Sequence, residues 1–283
     1  MYKQLFEKIR TGKWIIECGQ YMKIAVITVA GRSSRFNEGI LEENKKLKAV
    51  YYESNEKDTL LYHLLVKCSY ADKIILVGGY KIDDLRCYCH SLENEIKNKI
   101  VIVYNHRFID LGSGYSLYLG LEEAFKSNPT EILFVEGDLD IDNESFKKVV
   151  DAEKTVLTYT YEPIYANKAV VLYKDDKDQY RYAFNSSHGL LTIDSPFSCI
   201  LNSGQTWKFT EIDKLQNANK QFFETAKEET NLLIIQDYLD SGVDVDIIPL
   251  NRWTNCNTRD DFKKIFSYWE EENEDFDRAP CHS

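Results

Sequence analysis

The stretch Lys23-Ile24-Ala25-Val26-Ile27-Thr28-Val29-Ala30-Gly31-Arg32-Ser33-Ser34-Arg35-Phe36 decides the fold. Residues 24–29 make an apolar run of strand length that stops at Gly31 in a polar loop of small residues. Such a run suits a strand covered on both faces, as in the parallel sheets of α/β proteins.

The pattern continues outward from it. Asp58 or Thr59 can cap a helix whose Leu60, Leu61, Leu64, Leu65 and Cys68 form one stripe, and Lys73-Ile74-Ile75-Leu76-Val77 supplies the next strand before Gly78-Gly79, completing a βαβ unit. A helix over about 83–96, a strand over 100–104, a helix over 116–125 and a strand over 131–135 follow. This alternation predicts an α/β, Rossmann-like domain with a mostly parallel central sheet flanked by helices. After a strand at 155–159 the chain turns Tyr-rich. Strands at 168–173 and 180–184 flank the turn Asp175-Asp176-Lys177-Asp178, so residues from about 155 to 210 read as a smaller mixed β region. Helices near 211–227 and 228–239, a strand at 243–248 and a helix at 259–272 complete one domain over 23–272. Residues 1–22 carry Tyr2, Leu5, Phe6 and Ile9 at helical spacing, giving an N-terminal helical extension, and 273–283 read as a flexible acidic tail.

Bulk properties agree with one globular domain. Of 283 residues, 43% are hydrophobic and 29% charged, enough apolar material for a large core. A formal net charge of -11 argues against nucleic acid or an anionic membrane as a partner. The seven cysteines are odd in number and scattered, as expected of reduced thiols in the cytoplasm. Cys87, Cys89 and His90 fall in a helix with no second pair at zinc spacing, and read as an ordinary helix face. No apolar run has the length of a membrane span, and residues 1–22 lack the core of a signal peptide.

Three segments carry chemistry. In a parallel sheet, ligands bind beyond the carboxyl ends of the strands, so the loop Ala30, Gly31, Arg32, Ser33 and Ser34 can turn backbone N–H groups toward phosphates. Arg35 and Lys45 can add cations to the same anion. Val135-Glu136-Gly137-Asp138-Leu139-Asp140 ends a strand at the same edge, where Asp138, assisted by Asp140, can ligate Mg2+; Asp142 instead suits a helix cap. In Trp253-Thr254-Asn255-Cys256-Asn257-Thr258-Arg259-Asp260-Asp261, Thr258 is a helix cap and the two aspartates complement the helix dipole. Neither role accounts for Asn255 or Asn257.

In this order the segments resemble the nucleotidyltransferase superfamily of GT-A-like fold. It includes the MobA-like molybdenum-cofactor enzymes, the sugar-phosphate nucleotidylyltransferases and the small-metabolite cytidylyltransferases acting on phosphocholine, phosphonates or phosphoramidates. Family loops read Ala-Gly-x-Gly-x-Arg and then Pro-Lys-x-Leu; this chain has Ala30-Gly31-Arg32-Ser33-Ser34-Arg35 and Asn44-Lys45-Lys46-Leu47, with Ser33 in place of the second glycine and Asn44 in place of the proline. The resemblance extends to Val77-Gly78-Gly79-Tyr80, to Asn105 and Ser116-Leu117, and to Asp138 at the family's metal aspartate. It implies nucleotide contacts by Gly79, Asn105 and Ser116. Asn257 stands where the cytidylyltransferases place a second metal-binding Asp: either its amide oxygen ligates, Asp140 compensates, or metal binding is weakened.

The resemblance implies Mg2+-dependent transfer of a nucleoside monophosphate, CMP first, from an NTP (CTP favoured) to a small phosphorylated metabolite, with release of pyrophosphate. The acceptor oxygen is already ionised at neutral pH, so no dedicated general base is required. Tyr159, His188 and Trp207 are the expected acceptor contacts, and the Tyr-rich segment could form an aromatic cage, although amphipathic strands alone also explain its tyrosines. The N-terminal extension and acidic tail could support self-association as a homodimer. Two alternatives stay open: a glycosyltransferase reading Asp138-Leu139-Asp140 as Asp-x-Asp, and a catalytically silent nucleotide-binding relative.

Overall fold

In β1 (Lys23–Val29) successive side chains enter different cores: Ala25, Ile27 and Val29 pack on one face, Ile24 and Val26 on the other. This period of two explains why the run has no polar face. The protein is described here by a computed structural model over residues 21–167, 170–185 and 189–278. The expected N-terminal helix, His188 and residues 279–283 lie outside these.

The main sheet runs β10-β6-β9-β4-β1-β2-β3. β1 pairs in parallel with both β2 (Lys73–Gly78) and β4 (Glu131–Glu136), and β2 with β3 (Ile100–Tyr104). The chain steps outward from β1 through β2 to β3 and returns to β4 on β1's other side. The sheet's switch point therefore lies between the ends of β1 and β4. One core holds α1 (Leu60–Lys67), α2 (Ile82–Ser91) and, beyond the short α3 (Asn94–Lys97), α4 (Ser113–Phe125) packs into the other. The expected helix over 83–96 is thus two helices, broken at Leu92 and Glu93, both in extended backbone. α4 approaches the sheet at Gly120, where a Cβ would stand 2.6 Å from Val26 Cγ1.

β5 (Leu139–Ile141) leaves the main sheet and pairs antiparallel with β11 (Trp253–Asn255), while α5 (Asn143–Asp151) joins the first core behind it. β6 (Thr155–Thr160), β7 (Val170–Asp175), β8 (Tyr180–Phe184) and the 13-residue β9 (Phe197–Phe209) form the mixed half, with the turn at Asp175–Asp178 in place. β9 runs antiparallel between β4 and β6, and β10 (Val245–Leu250) closes the edge in parallel with β6. α6 (Ile212–Thr225) and α7 (Asn231–Asp240) cover this half.

The last helix, α8, spans Arg259–Arg278, beyond the expected end at Glu272. The Glu-rich segment is made of good helix formers, so the backbone continues through part of what reads as a tail. α8 packs Phe262, Ile265 and Trp269 onto Phe36, the last residue of the opening stretch. No described helix is long and apolar enough to cross a membrane.

Candidate active site

A cavity of about 310 Å³ opens at the switch point, between the loop after β1 and the end of β4. The Thr28–Glu136 register brings the two strand ends level, and Gly137 N–H donates to Thr28 O at 3.0 Å. A Cβ at Gly137 would stand 2.3 Å from Val29 Cγ1, so only glycine lets the strands stay this close before Asp138 turns into the cavity. Ala30, Gly31 and Ser33 form one wall, with Phe108, Leu111, Ser113 and Ser116 opposite.

The loop is held from behind. Phe36 is buried under α8, with the Arg259 guanidinium 4.3 Å from its ring centre and 3.7 Å from that of Tyr51. The Asn37 side chain, also buried, donates to Ser33 O (3.0 Å) and Lys46 O (2.8 Å) and accepts from Lys46 N–H (3.0 Å). It ties the loop to the segment carrying the lysines. Ser33 has φ +54°, in the left-handed region where the family pattern has glycine.

Among the lysines the structure departs from the expectation. Lys45 follows one short 3-10 turn and its Nζ meets Glu42 at 2.5 Å, outside the cavity lining. Lys48 opens the next turn and points inward, its Nζ 2.9 Å from Asp138 Oδ2. Arg35 reaches across the loop instead of into the cavity, donating from Nη2 to Asn257 Oδ1 at 2.7 Å. Arg32 and Ser34 are exposed on the outer side. Gly79 backs the loop: a Cβ there would lie 2.8 Å from Ala30 O. Asn105 is buried behind the far wall and donates to Ser116 Oγ at 2.9 Å.

Asp138 and Asp140 have separate surroundings. Asp138 lines the cavity, and its Oδ1 is buried without a hydrogen-bond partner. Asp140 is buried behind β5, where it pairs with Arg252 and Lys67 and accepts from Trp269 Nε1 at 2.8 Å. Its charge is already met by two cations and it lies outside the cavity lining, because alternation on the short β5 turns it to α8, so the structure does not bring it to Asp138 as an assisting ligand. Asp142 caps α5 as expected, accepting from Ser145 N–H at 2.8 Å. Thr258 and Asp261 cap α8 reciprocally: Asp261 Oδ2 accepts from Thr258 N–H, and Thr258 Oγ1 accepts from Asp261 N–H.

Asn255 Oδ1 is a second buried oxygen without a partner. It stands opposite Leu139 in the β5–β11 pairing and borders the second cleft described below, not this cavity; only the backbone meets Asp138, through Cys256 N–H donating to its carbonyl at 2.8 Å. Among the described residues, no three His, Cys, Asp or Glu side chains converge as a metal cage. A hard cation here would be held by Asp138, with ligand oxygens completing its shell. Behind Asp138, Glu136 accepts from Asn231 Nδ2 at 2.8 Å; burial, and then the charge of Asp138, push its carboxyl up to about 7.

A second cleft, about 270 Å³, lies on the far side of β11 and is lined by Asn202, Gln205, Asn255, Asn257, Tyr165 and Lys264. Of the expected acceptor contacts, Trp207 is in neither cavity. It is fully buried on β9, stacked on Phe134 and donating to Tyr182 OH at 2.7 Å. Tyr159 meets Tyr161 edge-on with ring centres 5.5 Å apart, at the rim of the mixed sheet. Lys48, Asn37 and the wall residues Phe108 and Leu111 carry no sequence signal of their own; Asn255 and Glu136 stand inside motifs already noted.

A family model described as a domain of unknown function (DUF6564) matches residues 44–269. No curated protein matches the sequence. Among solved structures, the chain is similar to the inositol-1-phosphate CTP transferase from T. maritima (TM-score 0.61, 16% identity, 88% of this chain and 97% of that one). It is also similar to CTP:phosphocholine cytidylyltransferase from Streptococcus pneumoniae (0.57, 14%, 88% and 99%) and to a UDP-glucose pyrophosphorylase complexed with UDP-glucose (0.61, 12%, 89% and 99%). At these identities the likeness is one of fold, and the fold is the Rossmann-like one expected from the alternating strands and helices.

Proposed function

The chain belongs to the family described as a domain of unknown function, DUF6564, and from its site we propose that it is a Mg2+-dependent nucleotidyltransferase. The observation that carries this reading is the pairing of the small-residue loop with Asp138 across one cavity at the switch point, where the aspartate keeps a buried oxygen without a partner. A loop of backbone N–H groups suits phosphates, and a lone carboxylate beside it suits a hard cation whose remaining ligands are phosphate oxygens.

In this reading the NTP lies along the 30–33 loop with its base against Phe108 and Leu111, and Asp138 holds the cation. When bound, Mg2+ supplies positive charge to the phosphates. An acceptor phosphate oxygen attacks the α-phosphorus in line and pyrophosphate leaves. The acceptor occupies the second cleft, where Lys264 offers the cation and the amides offer hydrogen bonds. Arg35 and Asn257 close the gap between loop and cleft. CTP is the preferred donor because the resemblance in the sequence leans to the small-metabolite cytidylyltransferases. The burial of Asp140 takes away the second carboxylate that an Asp-x-Asp glycosyltransferase would present.

The test is a pyrophosphate-release screen of the common NTPs with Mg2+ against phosphocholine, phosphoethanolamine, small phosphonates, phosphoramidates and sugar 1-phosphates. Turnover with at least one pair, fastest with CTP, is expected. Nucleotide binding without turnover by any pair would replace this reading with that of a silent relative.

A further inference from the structure

Lys48 is placed with unusual care for a loop lysine. Its Nζ lies 2.9 Å from Asp138 Oδ2, and its side chain is only 15% exposed although it borders an open cavity. Its backbone N–H donates to Ser33 Oγ at 3.2 Å. Ser33 is the residue at φ +54°, where an L side chain is strained relative to glycine. The side chain that brings this strain is thus the one that fixes Lys48. Asn37, bridging Ser33 O with both backbone groups of Lys46, clamps the same two segments a second time.

We propose that Lys48 is a resident counter-ion of Asp138, a positioning residue that occupies the carboxylate until nucleotide arrives and so makes cation binding depend on nucleotide. This rests on the nucleotidyltransferase reading. In the free protein the ammonium holds Oδ2, leaving a divalent cation the single carboxylate oxygen Oδ1, a poor site for a hard ion. An incoming triphosphate brings anionic oxygens into the cavity that Lys48, Ser33 and Asp138 all line. The ammonium then has a second anionic partner, and Asp138 is released to the cation that accompanies the phosphates. Ser33 at the glycine position and Lys48 are two parts of one device. No covalent step is involved.

The test uses the full chain and its Lys48→Met variant, with Mn2+ binding read by electron paramagnetic resonance without nucleotide, and CTP binding read by calorimetry in excess chelator. Lys48→Met should tighten Mn2+ by about tenfold or more and weaken metal-free CTP by about tenfold or more, each about 1.4 kcal/mol. Ser33→Gly should move both in the same directions by less. Damage to the site would weaken both ligands, so the opposed changes distinguish the device from a structural role. Unchanged or weaker Mn2+ binding in a folded Lys48→Met protein would overturn the proposal. If the wild-type protein binds no nucleotide, the nucleotidyltransferase reading fails, whereas the Mn2+ comparison still reports whether Lys48 guards Asp138.

Discussion

Arg35 Nη2 donates to Asn257 Oδ1 at 2.7 Å, joining residues 222 positions apart. The bond ties the loop after the first strand to the turn before the last helix, and it uses the amide oxygen that a second metal ligand at Asn257 would need. Two of the residues singled out in the sequence for separate tasks are therefore one contact between the loop after β1 and the edge of the second cleft.

Arg35→Ala should lower kcat/KM by about tenfold, the scale of losing the one charged hydrogen bond that ties the loop to the turn before α8. Asn257→Ala should cost about tenfold, comparable to one hydrogen bond to a charged group. The double variant should be no worse than Arg35→Ala. Steady-state kinetics with the best substrate pair decide; additive losses would mean that the two act independently.

Asp140 should prove structural. It is buried with Arg252, Lys67 and Trp269 around it, so Asp140→Asn leaves the buried Lys67 without its carboxylate and Arg252 with Glu272 alone. Denaturant unfolding should show a loss of about 3–5 kcal/mol. Mn2+ affinity of the remaining folded protein should be unchanged, and a lost metal site with unaltered stability would reverse the assignment.

Much of this site is legible in local sequence. The strand 24–29, its loop and Asp138 are read from neighbours in the chain, since an apolar run and the residues that end it define a sheet edge by themselves. Lys48 is not legible that way. Lys45, Lys46 and Lys48 differ only in which way two short 3-10 turns send them, and those turns are set by Asn37 and Ser33. Trp207 is missed for a related reason. Asn202-Ser203-Gly204-Gln205-Thr206 has the composition of a loop, yet it lies in β9, where Gly204 and Gln205 form a bulge and Trp207 just beyond it pairs on both sides and is buried. Asp140 is two residues from Asp138 and looks equivalent; only the position of α8 separates them.

His63 gives the same buried cluster an acid sensitivity. Its ring stacks on Trp269 at 3.7 Å, and burial, with the charge of Lys67 adding to it, lowers its pKa from 6.5 to about 4. The unfolded chain therefore takes up the proton first as pH falls. Stability is fully present above about 6.5 and is lost as pH drops toward about 4. His63→Phe keeps the stacking and removes the titration, so its unfolding free energy should fall less over that window, by on the order of 2 kcal/mol. Parallel pH profiles of the two proteins would count against a buried neutral His63.

The central claim is that the cavity between β1 and β4 performs nucleotidyl transfer, and following the α-phosphorus tests it most directly. With CTP labelled at that atom, Mg2+ and the best acceptor from the screen, the label should appear in a new product joined to the acceptor by a phosphoanhydride (P–O–P) bond while the pyrophosphate released stays unlabelled. Asp138→Ala should reduce the transfer by at least about a hundredfold. Label that stays in CTP, or appears only as free CMP, would contradict the account.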